Sequence, residues 1–256
     1  MDFKYSIVND DNDTVLGFCN EVNIRKADDE CCSVLRLYDL KLTEKHRKLP
    51  TTTLSNFRLH ILSLDGKNLG GYSFSPRNHF KLQFLETTQG PTDIEVRFSE
   101  APLPFAFEVW NRLRERPNDP GQWHSCSHGE KQAWLQVLRL RCNKPQIDRK
   151  GQVLSVDGSI IQDEETFFIA LGEAINGPFG YYGADLDGLA DCLCGGFGLI
   201  PPFTLTWTNF HKSFNNGLLA HEKFIALLLH LLTSSGCDVH LTASSEKVKT
   251  MVDIKV

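Results

Sequence analysis

With 256 residues, 41% of them hydrophobic and 23% charged, the chain has a globular composition and is long enough for one large domain or two ordinary ones. No run reaches the 18 or more apolar residues of a membrane span, and Met1-Asp2-Phe3-Lys4-Tyr5 has neither a basic n-region nor an apolar h-region, so no membrane partner and a cytoplasmic location are expected. The net charge of -5 is uneven: residues 151–256 carry five lysines, no arginine and twelve acidic residues, a net of -7, against 22 basic and 20 acidic residues in 1–150. An acidic module repels nucleic acid and attracts proteins that bind it. The eight cysteines lack a framework spacing and are expected as free thiols.

From the N-terminus, residues 3–8, 15–22, 34–42, 57–64, 80–85 and 94–98 are enriched in β-branched, aromatic or alternating apolar residues and predict strands. Turn chemistry separates them at Asn9-Asp10-Asp11-Asn12-Asp13, at Leu64-Asp65-Gly66-Lys67 and at Gln89-Gly90-Pro91. Short strands so closely spaced predict an antiparallel sheet, a sandwich or a partial barrel. Helices are predicted at 104–116 and 127–141, giving a β-rich α+β domain over 1–145. His124, Cys126 and His128 are a cluster of metal-ligand types, but zinc sites use other spacings, and Ser127 and Glu130 fit a capping box instead. Arg112, Arg114 and Arg116 are diluted by Glu108 and Glu115, so nucleic-acid binding is not expected. With no Walker loop, Rossmann fingerprint or nucleophile elbow, neither an enzyme, a metal nor another cofactor is expected. An N-terminal enzyme or metal-binding domain, with the rest of the chain as an adaptor, is the alternative.

The polar stretch 141–152 reads as a linker. Beyond it, strand-like and helix-like segments alternate, which implies a mainly parallel sheet. Val153, Leu154 and Val156 open a short strand that Asp157-Gly158 ends. Residues 177–183 are a glycine-broken loop with a tyrosine pair, either capping the core together with Phe179 or exposed for a partner. Next, residues 180–193 read Gly-Tyr-Tyr-Gly-Ala-Asp-Leu-Asp-Gly-Leu-Ala-Asp-Cys-Leu. In a helix Asp187 and Asp191 lie one turn apart on one face, an arrangement that weakens an isolated helix by roughly 0.2–0.5 kcal/mol. Either a cationic partner meets them or the helix N-terminus favours them. Phe203, Leu205 and Trp207 alternate with threonines in a strand with one apolar face, as Val239 and Leu241 do later, and a helix over 218–235 carries a wide apolar stripe. The close cysteines Cys192 and Cys194 point to different helix faces. The tail 246–256 is either disordered or an added edge strand.

Tyr181-Tyr182-Gly183 followed by Asp185-Leu186-Asp187-Gly188-Leu189-Ala190-Asp191-Cys192-Leu193 resembles the signature of the barstar family, protein inhibitors of the ribonuclease barnase. In order, 153–161 resembles the family's opening strand and turn, 163–176 its first helix, 203–210 its central strand, 218–235 its last helix and 237–242 its closing strand. The resemblance covers 151–245 and implies an α/β domain with a three-stranded parallel sheet and helices. It also implies an immunity or antitoxin role, with a barnase-like ribonuclease or toxin nuclease domain as partner. Carried over residue by residue, the inhibitory surface is Tyr181, Tyr182, Gly183, Asp185, Leu186, Asp187, Ala190 and Asp191, with Asp191 the main contributor. The chain departs from the family's namesake at Ala190, where a tryptophan is usual, at Leu231, which aligns with a glutamate, and at Asp185, which replaces an asparagine. These changes imply a partner of different contours.

Overall fold

The computed structural model describes residues 3–27, 32–44, 56–77, 90–141 and 146–243. The expected strand at 80–85 and the tail at 246–256 lie outside the described residues. Two compact units emerge, one of residues 1–103, 110–115 and 140–142 and one of 104–109, 116–139 and 143–256. Much of the helical sequence that precedes the linker therefore belongs with the second unit.

The first unit is built on eight strands: β1 (Tyr5–Asn9), β2 (Thr14–Cys19), β3 (Glu21–Lys26), β4 (Ser33–Tyr38), β5 (Lys41–Leu42), β6 (Phe57–Leu62), β7 (Asn68–Pro76) and β8 (Thr92–Phe98). All their pairings are antiparallel, in the order β3-β4-β8-β7-β6-β1-β2-β5. Only Asn20 separates β2 from β3, although they stand seventh and first in that order. In a flat sheet six strand spacings would hold them about 29 Å apart, yet a span of two residues reaches at most about 7 Å. The sheet is therefore rolled until its two flanks meet at this corner. Ile7, Leu16, Leu37, Phe57, Phe74 and Ile94, from six of the strands, line one apolar cavity inside the roll.

The strand expected at 15–22 runs across the corner at Asn20 and so misses most of β3; β7 is passed over altogether, because Gly70, Gly71, Ser73 and Ser75 dilute its apolar signal. Those glycines have a steric reason: a Cβ on Gly71 would lie 2.0 Å from the Leu59 carbonyl oxygen, and one on Gly70 2.4 Å from that of Leu140. In return Tyr72 and Phe74 are buried, and the Trp110 indole of α1 (Ala106–Glu115) donates to the Tyr72 hydroxyl at 3.0 Å.

In the second unit β10 (Val153–Asp157), β12 (Thr204–Thr208) and β13 (Asp238–Leu241) form a parallel sheet with β12 in the middle. Leu205 and Trp207 on β12 are fully buried, with Phe167 of α3 (Glu164–Asn176) 4.8 Å from the Trp207 ring. The Trp207 indole donates to Ser213 Oγ at 3.0 Å, so this large ring brings no unsatisfied donor into the core. α4 (Leu186–Leu193) and α5 (Glu222–Ser234) complete the module; the helix expected to begin at 218 starts with a 3₁₀ turn, Leu218–His221. The stretch read as a linker holds β9 (Gln146–Arg149), which pairs in parallel with β11 (Phe197–Leu199). Its fixation is polar, which is why an apolar pattern does not reveal it: Asp148 accepts from Gly196 and Gly198 N–H at 2.8 and 2.9 Å, and Arg149 Nε donates to Gly198 O at 2.9 Å. α2 (His128–Leu140) begins at the capping box read from sequence, with the Ser127 N–H donating to Glu130 at 2.8 Å.

The C-terminal half of α3 touches the following loop backbone to backbone. A Cβ on Gly172 would lie 2.4 Å from the Gly180 carbonyl oxygen. Gly172→Ala gains up to about 1 kcal/mol of helix propensity, but overpacking a filled site costs about 1–3 kcal/mol. Urea unfolding of the full chain is expected to show a net loss of about 1–2 kcal/mol; an unchanged or raised midpoint would mean the contact is not tight.

Candidate functional site

The acidic run forms α4 and the loop before it. Asp185 is the N-cap: its side chain accepts from Gly188 N–H at 2.7 Å and its carbonyl from Leu189 N–H at 2.9 Å. This carboxylate therefore has an intramolecular task, as the helix-terminus alternative holds. Asp187, in the first turn, has only the field of the helix terminus, and Asp191, in the last turn, lacks even that. Both are exposed, one turn apart, and neither pairs with a cation among the described residues. On the other side of α4, Leu189, Cys192 and Leu193 are buried, while Leu186 and Ala190 are half-exposed beside the two aspartates.

The tyrosine pair divides. Tyr182 is wholly buried, and its hydroxyl donates to the Leu199 carbonyl at 2.8 Å. It therefore supports the loop from the core, a correction to its placement on the exposed surface. Phe179 is also buried, stacked on Trp134 with ring centroids 4.5 Å apart. Gly183 is buried at φ +91°, where a Cβ would lie 2.8 Å from the Leu189 nitrogen, so it shapes the turn into α4. Tyr181 is the half-exposed member, 6.0 Å from the Phe197 ring. Burial pushes its hydroxyl up to about 12, and the neighbouring Cys192, Asp185 and Asp191 add to the shift while Arg139 opposes it. It stands neutral beside the acidic face and can donate a hydrogen bond. The Asn176 amide fixes this loop, donating to the carbonyls of Tyr181 and Phe197 at 2.9 Å each.

Pattern reading did not find a second acidic element. The first turns of α3 and α4 share a groove lined by Asp163, Glu164, Glu165, Asp185 and Asp187, together with Phe168, Leu186, His221 and Phe224. The His221 ring stacks on Phe214 at 4.4 Å and its Nδ1 lies 3.4 Å from Glu164. No periodicity links 163–165 to 185–187; the fold alone brings them to one groove. His124, Cys126 and His128 do not converge: Cys126 is buried and His124 is exposed, packed edge-on against Trp123.

Residues 151–246 match the family model of Barstar (barnase inhibitor). The chain thus carries a C-terminal barstar domain, on less than half its length, with the three-stranded parallel sheet and flanking helices described above. Neither the curated proteins nor the solved structures yield a match. Among the described residues no helix is long and apolar enough to cross a membrane.

The two α4 thiols are expected to differ in reactivity. Burial, assisted by Asp191, raises the Cys192 thiol from 9.0 to about 12, while Cys194 is exposed. At pH 8 an alkylating reagent should label Cys194 and leave Cys192 intact until denaturant is added, as read by peptide mass spectrometry. The neutral Cys192 thiol adds stability that is complete below about pH 9 and lost as pH rises towards 12, because only the unfolded chain ionises readily in that window. Native-state labelling of Cys192 would contradict its placement.

Proposed function

We propose that the C-terminal domain inhibits a barnase-like ribonuclease, or the nuclease domain of a toxin, by occupying its phosphate-binding cleft. A cell that makes both would use the protein as a cytoplasmic antitoxin or immunity factor. The supporting observation is the pair Asp187 and Asp191, exposed on one face of a helix whose other face is buried, without intramolecular cations among the described residues. A nuclease cleft must gather arginines and lysines to hold phosphates, and carboxylates on a rigid helix reproduce the substrate's charge at hydrogen-bonding distance. Tyr181, Leu186 and Ala190 flank the pair and supply the surrounding contact. Tyr182, Gly183 and Asp185 act behind them: the first fills the core, the second allows the turn, and the third caps the helix.

Binding of this kind excludes substrate by occupancy and requires no chemistry from the inhibitor. Asp191, in the last turn of α4, is assigned the larger share of the energy. Truncating one member of a buried charge pair costs about 2–5 kcal/mol, a range calibrated on barnase and barstar themselves and carried over from that pair. Ala190 and Leu231 alter the surroundings without removing the two charges.

The test is ribonuclease inhibition by the full-length protein, titrated against barnase and barnase-like toxin nucleases. Asp191→Ala should weaken inhibition by about 30-fold or more and Asp187→Ala by about tenfold or more, with unfolding midpoints unchanged. Asp185→Ala should instead lower stability by about 0.5–2 kcal/mol through loss of the cap. Nucleases that stay fully active in excess wild-type protein, or inhibition indifferent to both aspartates, would overturn the reading.

A further inference from the structure

The second unit brings His128 to two side chains, Asp163 and Glu165, that begin 35 residues further along the sequence. His128, at the start of α2, and Asp163 and Glu165, at the start of α3, offer Nδ1 or Nε2 and two carboxylate oxygens that all lie within 4.8 Å of one another. We propose that these residues form a binding site for a divalent transition metal ion, with zinc as its representative.

The His128 Nδ1 to Asp163 Oδ2 separation is 3.4 Å. That is long for a hydrogen bond between charged or polar groups, which centres near 2.7–3.0 Å. Two ligand atoms on a tetrahedral ion with bonds of about 2.0–2.2 Å lie about 3.4 Å apart, so the pair is already spaced as two corners of such a site. Glu165, partly exposed, offers the third carboxylate oxygen within 4.8 Å of both. A histidine in the set favours zinc and its neighbours over magnesium or calcium, which take oxygen ligands.

Both principal ligands are held in place. Asp163 Oδ1 accepts from Thr166 N–H at 2.9 Å, and Thr166 Oγ1 in turn accepts from Asp163 N–H at 2.9 Å, which leaves Oδ2 turned towards His128. On the other element the Ser127–Glu130 capping box fixes the turn that carries His128. The two elements are then pinned together by the buried Lys131, whose ammonium donates to Gln162, the neighbour of Asp163. Supporting hydrogen bonds of this type orient metal ligands before the ion arrives. The positive ends of two helices and the Lys131 ammonium, together about +2, oppose a cation here, but the two carboxylates and Glu164 next to them carry a formal charge of about -3. Three protein ligands leave the fourth position to water or to a partner's side chain. Asp163 and Glu165 also line the groove that holds Asp185 and Asp187, whereas His128 stands outside that lining.

The experiment is calorimetric titration of the full-length protein with zinc chloride and with magnesium chloride, in a Cys194→Ser background that removes the one thiol exposed among the described residues. One saturable zinc ion per chain and no comparable magnesium binding are expected. His128→Ala and Glu165→Gln should each weaken zinc binding tenfold or more with unchanged unfolding in the absence of metal, while His124→Ala should bind like the parent. Absence of saturable zinc binding, or binding untouched by His128→Ala and Glu165→Gln, would overturn the site. Ribonuclease inhibition is a separate readout, so failure of this proposal and failure of the inhibitor reading are told apart.

Discussion

The position of the acidic helix depends on how closely α3 admits the loop that follows it. Gly172 and Gly180 meet backbone to backbone, where a Cβ on either would lie 2.4 Å from the other's carbonyl oxygen. Only after this approach can the Asn176 amide reach both Tyr181 O and Phe197 O, and Tyr182 insert to donate to Leu199. Arg149 adds a further tie by donating to the Ile175 carbonyl at the end of α3. The helix end, the loop and the small β9–β11 pair therefore constrain one another. α4 inherits its direction from that assembly, because its own eight residues are too few to hold a direction alone.

Magnitudes decide why this domain tolerates its unpaired carboxylates. Repulsion between Asp187 and Asp191 at one-turn spacing costs about 0.2–0.5 kcal/mol. Burial of a single large apolar side chain contributes about 1.5–3 kcal/mol, and α4 and its loop bury Phe179, Tyr182, Leu189 and Leu193. The acidic face is thus a minor debit against a well-anchored inner face. Asp185 is the exception, since its oxygen satisfies a backbone donor; the favourable field of the helix N-terminus it shares with Asp187. Of three aspartates in one run, one serves the fold and two are available to a partner.

What could be read from the chain followed from how local each signal was. Trp207 and Leu205 alternate within one strand, and Ser127 with Glu130 is a contact of three residues, so both were legible. β7 was not, because its glycines answer to Leu59 and to Leu140, partners remote in sequence. β9 was hidden for a related reason: Asp148 and Arg149 are engaged by glycines about fifty residues away, and charged residues in a Pro-Gly context look like a linker. The division of labour in Tyr181-Tyr182 also escaped sequence, since adjacent identical rings give no sign of which one turns inward. His128 shows the same limit at the proposed metal site. Its residue type was visible, but its neighbours Asp163 and Glu165 come from another helix, while the nearby Cys126 points into the core.

In the inhibitor reading, net charge and local fit act over different ranges. A net of -7 over residues 151–256 acts across about 8–10 Å of physiological salt, drawing any cationic cleft towards this face and raising its association rate. That long-range attraction is indifferent to whether position 190 is alanine or tryptophan. Short-range fit is not: Ala190 leaves space beside Asp191, and Leu231, half-exposed on α5, offers a methyl-rich surface in place of a carboxylate. A partner that placed an arginine against Leu231 would desolvate that cation without compensation, at several kcal/mol, whereas one presenting an apolar residue there would gain contact. In that reading charge favours cationic clefts as a class, and the recut surface around the two aspartates selects among them through which complexes dissociate slowly.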